Sequence, residues 1–432
     1  MNIVEAWLRE VVRKLPPEFR LEVNTFLDDG DFISFAASRG DGGTTSWIEL
    51  ETEARESMLG QKGRGSSEQE AIELERFSRG YLPLREWLSK TYAEAEGGQG
   101  EGRNDPDHLL LVEDAGEALS LLFRTLMNPG DVVLVETPAS PEALALLSYY
   151  GATVVHVACD GAGMLLKELR KQISVHKPVL LYVTPYYSNP SGSVWSLERK
   201  VSLLEICERN ELCIIEDNTL GVIPFISSQG VSDKKVKGTT TQSLYELQQA
   251  HEGGIGRQVI GVGSFEGTTF PVLPLAWIRG ERQWIWSLLD ESLMLPASQE
   301  FFDRQRLLHT LLELPSFSWR EHAVKVQKEY AVRRRLTLEL MSEPPWEGTE
   351  VSDPGGGLFL WVHLPEGLCP EALLRATLLE GVAFVPGGRC YAGEPDSNAI
   401  RLTFAAHGEA RLRQGMAVIG EAITAFTARA AD

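Results

Sequence analysis

Between about residues 80 and 280 the chain alternates short apolar runs with longer amphipathic ones, and few folds accept that alternation. Leu109–Val112, Val132–Glu136, Thr153–Val157, Val179–Thr184 and Cys213–Glu216 are apolar enough to be strands. Leu84–Tyr92, Ala115–Met127, Pro141–Tyr150, Leu165–Ile173 and Leu197–Asn210 space their apolar residues as helices do, and Asn128-Pro129-Gly130 and Gly151 supply stop signals. Strands joined through helices pair in parallel, so the pattern predicts βαβ units and a mainly parallel sheet covered on both faces. Gln258–Phe265 and Pro274–Ile278 read as two further strands. In such sheets ligands sit beyond the carboxyl ends of the strands. That rule gathers Thr137–Ser140, Pro185–Gly192 and Asp217–Leu220 around one crevice.

After about residue 300 the character changes. Glu300–Leu340 reads as long helices, Gly356–Leu364, Val382–Val385 and Ile400–Phe404 as strands, and Pro370–Glu380 and Glu409–Phe426 as helices. This is a smaller α+β domain. The expected organisation is an N-terminal segment, 1–65, that joins the small domain, a large domain over 66–305, and a C-terminal small domain over 306–432. Gly60–Glu68, Glu96–Asp107 and Ser227–Gly256 read as loops, the last with a short helix at Ser243–Ala250.

The formal charge of −20 argues against nucleic acid as a partner, since phosphate backbones need clustered cations, and the Lys234–Lys237 run reads as a solvated loop. The five cysteines (Cys159, Cys207, Cys213, Cys369 and Cys390) are scattered and show no CxxC pair. Cys207 and Cys213 read as buried thiols, and a reducing cytoplasm fits. The opening stretch carries Glu5 and Glu10 and no long apolar run, so neither a signal peptide nor a membrane span is expected there.

Two stretches carry the chemistry. Tyr182–Gly192 reads YVTPYYSNPSG, a strand running into a tight turn at Asn189-Pro190-Ser191-Gly192. Further on, CIIEDNTLG places Asp217, beside Glu216, at the end of an apolar strand. Each alone fits an ordinary turn or a helix cap. Together with Phe32–Ala37, Gly80-Tyr81, Leu84-Arg85, Pro129–Pro138, Gly355–Trp361, Val385-Pro386-Gly387 and Ile400–Phe404, in this order and spacing, the chain resembles the class I/II aminotransferases. These are fold-type I pyridoxal 5′-phosphate (PLP) enzymes. The subgroup it resembles holds the aminoadipate and kynurenine transaminases and the regulators that borrowed their domain. The resemblance implies an α/β fold whose large domain has a seven-stranded type of sheet, and a dimer. It also implies that Asn189 contacts the ring oxygen of the cofactor and Asp217 its pyridine nitrogen, while Arg401 grips a substrate carboxylate. A carboxylate at the pyridine nitrogen keeps the ring protonated and able to accept electrons, and a guanidinium binds a carboxylate through two prongs. Arg401 also reads as an ion pair within the small domain.

The same comparison exposes losses. In GSFEGTTFPVLPLAW, Gly267 stands where the resemblance places the lysine that links to the cofactor. Glu266 stands for the neighbouring serine and Pro274 for an arginine that holds the phosphate, which leaves Ser264 as a remaining phosphate contact. In VEDAGEAL, Asp114 takes the place of a glycine that offers backbone N–H groups to the phosphate. Ser140 replaces the aromatic that stacks on the ring, and Leu220 the tyrosine that bonds its oxygen. Glycine offers neither a nucleophile nor a base, and loss of such a group costs on the order of 10²–10⁴ in rate. Two like charges about 4 Å apart repel by roughly 4 kcal/mol at an effective dielectric of about 20, so Glu266 and Asp114 oppose a phosphate dianion. Asp114 instead suits the N-cap of the helix that follows.

Other readings fail on context. Glycines 261, 263 and 267 lack dinucleotide-motif spacing, Ser140 lacks a GxSxG setting, Gly355–Gly357 reads as a turn, and the eight histidines show no metal-ligand spacing. The sequence therefore points to an aminotransferase-like protein without covalent PLP chemistry, binding a small carboxylate or a partner, as a homodimer or beside an active relative. The alternatives are an enzyme that holds PLP non-covalently and a transaminase whose lysine comes from Lys234, Lys235 or Lys237.

Overall fold

The computed structural model describes residues 3–28, 30–38, 40–41, 46–60, 79–95, 105–219, 242–250, 258–265, 274–292, 298–393 and 398–431. The described strands are β1 (Ile33–Ser34), β2 (Leu109–Val112), β3 (Val132–Thr137), β4 (Thr153–Asp160), β5 (Gly163–Met164), β6 (Leu180–Val183), β7 (Cys213–Asp217), β8 (Val259–Ser264), β9 (Ala276–Arg279), β10 (Glu350–Val351), β11 (Phe359–His363), β12 (Val382–Ala383), β13 (Val385–Pro386) and β14 (Ala399–Thr403). The described helices are α1 (Ile3–Lys14), α2 (Pro17–Asp28), α3 (Trp47–Gly60), α4 (Leu82–Ala95), α5 (Ala115–Leu126), α6 (Pro141–Tyr149), α7 (Leu166–His176), α8 (Leu197–Arg209), α9 (Leu244–Ala250), α10 (Arg282–Ser292), α11 (Gln299–Leu312), α12 (Trp319–Leu340), α13 (Pro370–Leu379) and α14 (Glu409–Ala431).

The large sheet runs in the order β2-β9-β8-β7-β6-β3-β4-β5. From β8 to β4 every neighbour is parallel, while β9 and β5 pair antiparallel. The expected seven strands are thus extended by β5, which folds back on β4. Successive side chains of a strand point to opposite faces. Val133 and Val135 accordingly pack with Leu119 and Leu122 of α5 and Leu147 of α6, while Leu134 packs with Leu169 of α7 and Leu203 of α8. These apolar runs form strands because both faces are covered.

The smaller sheet, β10-β11-β14-β13, is antiparallel. Its core joins Leu360, Ile400 and Leu402 to Leu412 and Ile419 of α14 and to Val12, Val23 and Phe35 near the N-terminus. Trp47 and Ala54 of α3 pack elsewhere, with Leu84 of α4 and Leu308 of α11. Reading Val382–Val385 as one strand is corrected: Ala383 pairs with β1 in a separate two-stranded sheet, whereas Val385 pairs with Arg401 of β14, so the chain changes partners at Phe384. Cys207 is buried, but Cys213 is only partly so. Among the described residues no helix is long and apolar enough to cross a membrane, and no three His, Cys, Asp or Glu residues cluster as metal ligands.

Candidate functional site

The carboxyl ends of β3, β6, β7 and β8 place Glu136, Thr184, Asp217 and Ser264 along one edge of the large sheet. The two acids that end β7 show how alternation sorts them. Glu216 accepts the backbone N–H groups of Leu244 (2.7 Å) and Tyr245 (3.1 Å), so it anchors the start of α9. Asp217 has different partners. Its Oδ1 accepts from Thr219 N (3.0 Å) and Thr219 Oγ1 (2.6 Å), and its Oδ2 from Tyr182 Oη (2.6 Å). Burial pushes the Asp217 carboxyl above the usual range, against the pull of those hydrogen bonds.

Glu136 is a second buried acid. It accepts from Thr184 N at 2.6 Å and from Thr184 Oγ1. Burial raises its pKa to about 8, so it holds a proton at neutral pH.

The turn after β6 brings Asn189 to Arg401. Gly192 closes this turn at φ +71°, and an added Cβ would lie 2.6 Å from Pro354 Cβ, so the turn needs glycine on both counts. Arg401 sits mid-strand in β14 and is fully buried. Its neighbours Ile400 and Leu402 enter the small-domain core, which turns the guanidinium the other way. It donates to Asn189 Oδ1 (2.7 Å), Ala36 O (3.0 Å) and Ser38 Oγ (3.3 Å), and lies 4.3 Å from the centre of the Phe359 ring. Its ion-pair partner is Glu142 of α6, at 3.4 Å. The pair therefore joins β14 to a helix of the large sheet, and a bridge confined to the small domain is not what forms. Glu142 also accepts from Ser140 Oγ (2.9 Å), Asn189 Nδ2 (3.1 Å) and the Ser38 hydroxyl. Burial opposes its charge, but the Arg401 guanidinium and the hydrogen bonds from Ser38 and Ser140 together outweigh this and hold the carboxyl below its usual range.

The substituted positions carry structural partners of their own. Asp114 caps α5: its Oδ1 accepts Glu117 N at 2.7 Å, while Glu117 Oε2 reaches back to accept Glu113 N, one residue before the cap, at 2.6 Å. Gly116 lies inside the first turn of that helix. Ser140 caps α6 by accepting Ala143 N at 3.3 Å. Ser264 is buried and donates to Leu275 O at 3.2 Å. The Pro274 carbonyl accepts from Arg304 Nη1 at 3.1 Å. Leu220, Glu266 and Gly267 lie outside the described residues, as do Lys234, Lys235 and Lys237.

Asn189 and Arg401, assigned separate roles from the sequence, are direct hydrogen-bond partners here, and sequence reasoning missed Glu136, Glu142 and Tyr182. Glu136 had a signal: an acid ending a buried apolar run, as Asp217 does. Glu142 had none, because an acid in the first turn of a helix is commonplace.

A model of the family described as aminotransferase class I and II matches residues 77–223. The aromatic-amino-acid aminotransferase 1 of Thermococcus litoralis is 26% identical over 80% of this chain and 78% of its own length. The 2-aminoadipate transaminase of Thermus thermophilus is 27% identical over 81% of each. Among solved structures, the α-aminoadipate aminotransferase LysN of Thermus thermophilus, complexed with N-(5′-phosphopyridoxyl)-L-leucine, superposes with a TM-score of 0.76 over 94% of this chain and 95% of its own, at 24% identity. That likeness speaks to the fold.

Proposed function

The chain belongs to the class I and II aminotransferase family, and from that premise we propose that it is a member without covalent PLP chemistry, a non-catalytic or repurposed homologue. The observation that carries the reading is Gly267, in the segment where the family resemblance puts its lysine. The frame on either side supports that alignment. Ser264 pairs with Ala276 across β8 and β9, and Phe265 N donates to Leu275 O at 3.1 Å, so the segment is the link between two neighbouring antiparallel strands. With both flanks paired, a displaced lysine would have to lie among residues 266–273, and that stretch, EGTTFPVL, contains none.

The described residues do not fit the phosphorylated cofactor. A helix N-terminus attracts anions through free N–H groups. At α5 Asp114 already accepts one of them and adds a carboxylate. Pro274 offers no cation, and Ser140 offers a hydroxyl where an aromatic ring would stack. Asp217 stands at its strand end, but both of its oxygens accept bonds from Thr219 and Tyr182. No step of transamination is assigned to these residues. As in its family, the chain is taken to act as a dimer, with itself or with an active relative, in the cytoplasm.

The test is absorbance of the purified protein with added PLP, before and after borohydride. The expected result is no band fixed by reduction. A band retained through gel filtration yet not fixed narrows the reading to non-covalent binding. Amino-acid-dependent conversion of bound PLP to its amine form contradicts it.

A further inference from the structure

Every group that would face an incoming carboxylate at Arg401 already faces Glu142. Both terminal nitrogens of Arg401 approach Glu142 Oε1 at 3.4 Å, and Asn189 Nδ2 and Ser140 Oγ donate to Oε2. The Ser38 hydroxyl completes the ring of donors. The ion pair is long for a two-pronged guanidinium–carboxylate bond, and Arg401 Nε has no partner among the described residues. Arg401 has no exposed surface, whereas the Glu142 side chain keeps 17% of its own, so the acid is the member of the pair with a route out.

We propose that Glu142 is the internal occupant of a carboxylate clamp made by Arg401 and Asn189, and that it closes the clamp to free carboxylates. One buried cation balances one carboxylate. A second anion beside Glu142 would lie unpaired in a site shielded from water, where like charges cannot both be held. A ligand carboxylate therefore enters only when Glu142 leaves. The same contact ties α6 to β14, so occupancy by Glu142 also holds the large and small sheets together. This inference uses the same crevice as the non-catalytic reading but does not depend on it, because its readout involves no PLP.

The experiment is thermal unfolding of the full chain in rising acetate, with chloride at matched ionic strength as the control. Wild type is expected to respond to the two salts alike. Glu142→Ala is expected to melt lower without added acetate and to recover several degrees with acetate but not with chloride. The double variant Glu142→Ala with Arg401→Met is expected to lose that recovery. Should Glu142→Ala not yield folded protein, Glu142→Ser also vacates the clamp while keeping a hydroxyl, and the same titration applies to it. Acetate-specific recovery in either variant supports the proposal. Wild type and variant responding alike to acetate overturns it.

Discussion

Asp114 and Glu142 are carboxylates at two places that attract anions, the N-terminus of α5 and the buried Arg401 guanidinium, and their surroundings differ sharply. Asp114 is exposed and accepts one N–H of its own helix. Glu142 faces a cation without exposed surface and three donor side chains, Ser38, Ser140 and Asn189, from three separate parts of the chain. The contrast teaches that the same replacement, a self-supplied anion in an anion's place, is a modest local cap in water and a structural tie in the interior. Glu136 adds a third case. It is buried with no ion-pair partner among the described residues, so it is neutralised by a proton rather than paired.

The largest expected effect follows from breaking the buried member. Glu142→Ala strands the Arg401 guanidinium, and removing one partner of a buried pair costs about 3–5 kcal/mol. Chemical denaturation measures it. A loss as small as that of a surface bridge, below about 1 kcal/mol, would erase the contrast with Asp114.

The next effect separates Glu142 from Glu136 by the sign of their pH dependence. The pKa of Glu136 is raised on folding, so its contribution is present at low pH and is lost as pH rises from the unfolded carboxylate range through about 8. Between pH 6 and pH 9 that amounts to about 3 kcal/mol, on the order of two pK units. Glu136→Gln should flatten this part of the stability–pH curve. Glu142 is shifted the other way: its contribution is present above the ordinary carboxylate pKa and is lost as pH falls through its lowered folded value. Denaturation midpoints across pH for wild type and the two variants check both signs, and equal slopes in wild type and Glu136→Gln would contradict the assignment.

The smallest effect belongs to the exposed member. Asp114→Ala removes a helix cap, at a cost of about 1 kcal/mol. A cost as large as that of Glu142→Ala would mean that Asp114 does more than cap α5.

This ordering also explains what could be read from sequence. The cap at Asp114 was legible because its partner, Glu117, lies three residues away. The strands of the large sheet were legible because burial on both faces leaves an apolar run that helix periodicity does not. The Arg401–Glu142 tie was not legible, since its members lie 259 residues apart and neither stands out locally. The break at Phe384 was hidden for a related reason. Val382 through Val385 are all buried, and only long-range pairing assigns Ala383 to β1 and Val385 to β14. At the N-terminus, Trp7, Leu8, Val11, Val12 and Leu15 have helical spacing and pack on the small-domain core; the sequence reading assigned this segment to the small domain without identifying its helix.

The central claim is that glycine stands where the family's cofactor-linking lysine belongs. Mass spectrometry of proteolytic fragments, after stoichiometric PLP and borohydride, tests it most directly when wild type and Gly267→Lys are compared. The account predicts no pyridoxyl group on any wild-type peptide of the crevice and identifies residue 267 as the position where lysine could carry one in the variant. A pyridoxyl-lysine at Lys234, Lys235, Lys237 or any other lysine reaching Asp217 in the wild-type protein would contradict it.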